Sequence, residues 1–146
     1  MDWPRRDDVA TVEDEPLTDG LVLAGPIEVT GTLRTDQLSA DLHVRLLDMD
    51  PEGKAALVAR GNVRLARAEG GTPFRVNLLH TAYRVTPGHR LMLHLASSDY
   101  PEFLFNTGDA SDAWTAAKPP VSTTVLTLGG PAGLRLSLSV HPDQDA

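Results

Sequence analysis

The chain has 146 residues, 41% of them hydrophobic, a length that suits a single hydrophobic core. Its formal net charge of −7 lacks the basic footprint that nucleic acid demands, and the absence of cysteine excludes a disulfide scaffold, a thiolate metal site and a Cys nucleophile. No apolar run approaches the roughly 18 residues of a membrane span, and Met1-Asp2-Trp3-Pro4-Arg5-Arg6-Asp7-Asp8 is too acidic for a signal peptide, so a cytoplasmic protein without membrane or nucleic-acid partners is expected.

Residues 1–7 show no apolar period and read as a solvated, flexible lead-in, followed by one domain over residues 8–142. Val9 and Val12 are spaced to open an edge strand. From Leu21 onward the period is two. Ile27, Val29 and Leu33 alternate with Glu28, Thr30 and Thr32; Leu42, Val44 and Leu46 alternate with Asp41, His43 and Arg45. The same alternation marks Val63 and Leu65, then Phe74, Val76 and Leu78, then Leu134, Leu136, Leu138 and Val140. Side chains of a strand point to opposite faces in turn, so these runs bury one face and wet the other. Leu91 to Ala96 is apolar on nearly both faces, as a central strand would be.

Turn-forming clusters punctuate the runs: Gly25-Pro26, Asp50-Pro51-Glu52-Gly53, Gly70-Gly71-Thr72-Pro73, Pro87-Gly88 and Gly129-Gly130-Pro131-Ala132-Gly133. Many short strands so divided indicate an all-β fold, a jelly-roll sandwich of two antiparallel sheets. A single short helix is expected over Ser111 to Ala117, with Ser111 or Asp112 as its N-cap and Pro119-Pro120 ending it.

Chemistry-bearing patterns are sparse. Asp48-Met49-Asp50-Pro51-Glu52-Gly53 imitates the first half of a calcium loop, but Ala59 stands at the twelfth position where a bidentate Glu is needed. It reads as a β-turn between strands. His43, His80, His89, His94 and His141 show no ligand-like spacing, so neither a metal nor a cofactor is expected. Ser97-Ser98-Asp99 follows His94 closely, yet the strand-to-helix elbow Gly-x-Ser-x-Gly is missing and no residue is assigned as catalytic. Tyr100, Phe103, Phe105 and Trp114 cluster after the Leu91–Ala96 run. They either anchor a long loop on the sandwich or contact a partner or ligand.

Several stretches carry a family likeness. They are Asp8 to Val12 with Glu15 to Leu21; Gly25 to Val29; Asp41 to Gly53 with Gly61 to Leu65; and Tyr83-Arg84-Val85-Thr86-Pro87-Gly88-His89-Arg90-Leu91. The last runs on through Ser97-Ser98-Asp99-Tyr100-Pro101 to Phe103 and Asn106-Thr107-Gly108. In this order they resemble the C-terminal jelly-roll domain of the X-Pro dipeptidyl-peptidase and cocaine esterase (CocE/NonD) serine hydrolases. The likeness fades after Trp114, and the family's closing hairpin is only loosely echoed by Val121 to Leu128 and Leu134 to Val140. The resemblance implies a non-catalytic domain that packs on an α/β-hydrolase catalytic domain, in cis or as a separate chain, and helps wall the substrate site. No family catalytic residue transfers to any position here. Tyr100, Phe103, Phe105 and Trp114 become the candidate contact residues. Two rivals stand beside this reading: a free-standing carbohydrate- or small-ligand-binding module, and a homodimer formed through a sheet edge or face.

Overall fold

Period-two alternation turns into strand wherever the sequence displays it. The computed structural model describes residues 6–118 and 120–141; among them it has eight strands and no helix. They are β1 (Val9–Glu13), β2 (Leu21–Thr35), β3 (Ser39–Met49), β4 (Ala55–Ala66), β5 (Thr72–Val85), β6 (Arg90–Ala96), β7 (Thr124–Leu126) and β8 (Arg135–His141). The first sheet has the order β1-β6-β3-β4; in the second, β2 pairs β5 on one side and both β7 and β8 on the other. Every pairing is antiparallel. Apart from the β3–β4 hairpin and the step from β7 to β8, each connection crosses between sheets, which is jelly-roll wiring.

The core lies between the sheets. Leu42, Val44 and Leu46 of β3 and Leu91, Leu93 and Leu95 of β6 form one buried cluster with Leu23, Ile27, Val29 and Leu33 of β2 and Phe74, Val76 and Leu78 of β5. Each such side chain contributes about 1.5–3 kcal/mol by leaving water. Val44 stands opposite Leu95 and Leu46 opposite Leu93, so a one-residue slip would turn a whole row of leucines outward. β6 is indeed interior to its sheet. Its second face is covered too, since Met92 and its register partner Leu47 are both buried although they alternate with core residues.

Local chemistry fixes the corners. Between β3 and β4 the Gly53 amide donates to the Asp50 carbonyl at 3.0 Å and the Lys54 amide to Asp50 Oδ1 at 2.7 Å, with Gly53 at φ 85°. The calcium-loop mimic is therefore a turn, as its sequence implies. Between β4 and β5 the sandwich closes tightly: a Cβ on Gly61 would lie 2.4 Å from the Asn77 carbonyl oxygen. Only glycine permits that approach.

Three details depart from the sequence reading. Gly25-Pro26 does not separate two strands but lies inside β2, where the registers to β5 and β8 both shift. The Ser139 hydroxyl donates to the Pro26 carbonyl there at 3.0 Å, and the bulge accommodates a residue that cannot donate to a ladder. The closing segments do not form a hairpin with each other; β7 and β8 follow one another along the same edge of β2. Finally, the segment from Ser111 to Ala117 is a single turn rather than a helix. The Asp112 carbonyl accepts from Thr115 N at 3.1 Å and Ala116 N at 2.9 Å, and Asp112 Oδ1 caps Trp114 N at 3.0 Å. One turn is too short to outweigh its nucleation cost without an apolar face to bury. What was expected of residues 1–5, Pro119 and Pro142 lies outside the described residues.

Candidate functional site

The chain between β6 and β7 crosses the outer face of the first sheet and is latched to it at four points. Asp99 pairs with Arg45 of β3, a half-buried ion pair. Glu102 meets Arg60 of β4 at 2.8 Å, and the Phe103 ring sits 5.2 Å from that of His43 at a 48° tilt. Asn106 donates to Asp41 Oδ1 and to the Ser39 hydroxyl, both at 3.0 Å. Asp41 is itself held bidentately by Arg64. Further on, Asp36 Oδ1 accepts from Thr123 N at 2.9 Å, tying the end of the segment to the β2–β3 turn.

This latching separates the candidate aromatics. Tyr100 is 69% exposed and Trp114 82%, Phe103 remains 39% exposed despite its contact with His43, and Phe105 is half-buried. Leu104 and Val121, which the sequence reading did not single out, add exposed apolar surface to the same segment. Beside Phe103, a hollow of about 290 Å³ is lined by His43, Arg45, Arg60, Asn62, Asn77 and Leu79, among others. Leu79 is exposed at φ 67°, held by its amide bonding Asn77 Oδ1 at 2.7 Å. A non-glycine residue in that region carries strain.

In Ser97-Ser98-Asp99 the Asp99 carboxylate is paired with Arg45 of β3. Among the described residues the buried carboxylate is Asp48. Tyr83 Oη donates to its Oδ2 at 2.9 Å, and His89 Nδ1 lies 2.8 Å from its Oδ1. A carboxylate can only accept, so Nδ1 carries the proton. Burial and the hydrogen bond to Asp48 push the Tyr83 phenol up to about 12. His89 precedes β6 and His94 lies within it, so the two imidazoles do not share a strand. The sequence carried a signal for Asp48: it continues the even-numbered inward row of Leu42, Val44 and Leu46. Among the described residues no group of three His, Asp or Glu side chains is placed to hold a metal ion.

Burial lowers the imidazole pKa of both His43 and His94; Arg45 adds to the effect and Asp99 opposes it. The unfolded chain thus takes up these protons first, so their contribution to stability is complete above about pH 6.5 and is lost as the pH falls toward the folded-state values. The urea midpoint should hold between about pH 8 and 7 and fall by about pH 5, with His43→Gln/His94→Gln flattening the decline. A midpoint independent of pH across that window would contradict this assignment.

The family model for the X-Pro dipeptidyl-peptidase C-terminal non-catalytic domain matches residues 2–136. The chain belongs to that family. Cocaine esterase from Rhodococcus sp. (strain MB1 Bresler) is 31% identical over 115 residues, covering 67% of this chain and 19% of the esterase. Among solved structures, an alpha-amino acid ester hydrolase superposes with a TM-score of 0.85 at 24% identity, over 93% of this chain and 26% of that one. An aminopeptidase from a marine sediment Thaumarchaeota archaeon gives 0.83 at 20% identity, over 95% and 27%. This X-Pro dipeptidyl-peptidase C-terminal domain therefore spans only about a fifth to a quarter of the length of these relatives. The stretch that carries its strongest sequence likeness, Tyr83 to Leu91, ends β5, turns and enters β6, and it brings both Tyr83 and His89 onto Asp48.

Proposed function

We propose that the domain packs on an α/β-hydrolase catalytic domain, in the same polypeptide or as a separate chain, and helps wall its substrate site. The observation that carries this reading is a segment tied to a rigid sheet by Asp99, Glu102, Phe103 and Asn106 that still exposes Tyr100 and Trp114. Large aromatics held on a preorganised support lose little entropy on docking and are the residues that dominate interface energies. The domain's contribution is positioning and shielding, not bond chemistry. A composition free of cysteine accords with a cytoplasmic setting.

Tyr100→Ser/Trp114→Ser should weaken binding to a separately produced hydrolase domain at least about tenfold. Both side chains are exposed, so β-type circular dichroism and the melting temperature should stay unchanged. Undiminished affinity, measured by titration calorimetry, would remove the docking role from this surface. A small-ligand or carbohydrate role draws on a different observation, the hollow where Phe103 adjoins Asn62 and Asn77. Glycan binding abolished by Phe103→Ala would favour it.

A further inference from the structure

The two sheets are unequal. Counting from the corner where β4 meets β5, the first sheet runs β4, β3, β6, β1, while the second runs β5, β2, then β7 and β8 in line, and stops. A jelly roll places four strands in each sheet. The fourth position of the second sheet, beside β8 and across from β1, holds no strand among the described residues.

The surroundings of that position bear the marks of an unfilled slot. Ala10 of β1 stands opposite Leu95 in the register and so points inward, yet it is exposed; Val12, opposite Leu93, is only half-buried. Across the gap, Leu136 and Leu138 pack on the core but remain half-buried, and Val140, in register with fully buried Leu23, is 50% exposed. At one end a cavity of about 460 Å³ is lined by Ala10, Leu95, Leu126 and Ser122 together with the carboxylates Asp7, Asp8 and Asp41, and Thr124 closes it. The Thr124 hydroxyl oxygen is buried with no hydrogen-bond partner among the described residues. A partly apolar trough, bounded by a ladder edge that is unpaired among the described residues, is a template for one more strand.

We infer that an extended strand of the hydrolase polypeptide, apolar at every second residue, adds to the free edge of β8 and completes this sheet. This rests on the docking reading above. Main-chain hydrogen bonds to β8 would supply affinity, and alternate side chains would cover Leu136, Leu138 and Ala10. The hydrolase is the occupant the observations favour, for two reasons. The trough is continuous with the proposed contact segment, whose chain passes through Ser122 to Leu126 along its wall. In addition, the matched stretch is only 19–27% of each relative, whose remaining chain is long enough to provide a strand.

Hydrogen–deuterium exchange on the full chain tests this with two probes. The first is a nine-residue synthetic peptide alternating valine and threonine with lysine at each end; the second is the separately produced hydrolase domain. Each is expected to slow exchange of amides in residues 135–141 at least about tenfold. A peptide with proline at its centre should not, and Ala10→Arg, at an exposed position that needs no repacking, should abolish the effect while the melting temperature holds. Protection of β8 by the hydrolase that survives Tyr100→Ser/Trp114→Ser would keep the strand assignment while refuting the aromatic docking surface. Unchanged exchange with both probes overturns the inference. So does protection that rises with the concentration of this chain alone, which would make a second copy the occupant.

Discussion

Leu46→Ala is expected to cost about 2–5 kcal/mol, toward the upper end of that range. Leu46 is fully buried and stands between Leu93 of β6 and Ala59 of β4, each on a strand fixed by its own ladder. Neighbours so constrained collapse poorly into a void, and the size of the residual cavity sets the penalty. Domains of this size are stable by about 5–15 kcal/mol, so one such void removes a large share. The urea midpoint should drop with an unchanged m-value, whereas Leu57→Ala, at a position 52% exposed, should shift stability by no more than about 0.5 kcal/mol. Equal effects at the two positions would mean that the inward row is misassigned.

Asp48→Ala ranks next, with an expected loss of about 2–4 kcal/mol. The carboxylate accepts from Tyr83 and from His89, and its removal strands two donors at the rim of the core. Unpaired donors there bear their full desolvation cost, which exceeds the net gain of the bonds themselves. Asp48→Asn keeps the shape and one acceptor oxygen, and should lose about half as much. The same substitution removes the negative charge beside the phenol. Ultraviolet titration should then show Tyr83 ionising below its value of about 12, nearer the ordinary tyrosine range. In the parent protein the raised value also means that stability falls as the pH rises from about 10, where the unfolded tyrosine ionises first. An unaltered titration in Asp48→Asn would show that burial alone sets the shift.

The fold was legible because burial imposes a period on the chain. Leu42, Val44 and Leu46, or Leu134, Leu136 and Leu138, reveal strand and inward face together, and Asp50-Pro51-Glu52-Gly53 reveals its turn through residues that adopt no other conformation as cheaply. Gly25-Pro26 misled because the same residues that end a strand also build a bulge within one, and only the partner ladders distinguish the two. Ser111 to Ala117 misled because capping residues announce the start of a turn without stating whether it continues. The trio of buried Asp48 with half-buried Tyr83 and His89 joins positions 35 and 41 residues apart, a pairing that local pattern does not encode. The aromatic cluster was visible as composition, but its exposure, falling from Trp114 and Tyr100 through Phe103 to half-buried Phe105, was not, because exposure depends on how the segment lies on the sheet. The unequal sheets were invisible for a similar reason, since a position that holds no strand among the described residues leaves no local pattern to read.

A sandwich proposed to wall a neighbouring domain's substrate site is expected to perform no bond chemistry of its own. The most direct test of this is turnover of a chromogenic acetate ester by the purified chain alone. Hydrolysis should not exceed the buffer rate. Activity that co-elutes with the folded protein through successive columns and disappears on unfolding would contradict it.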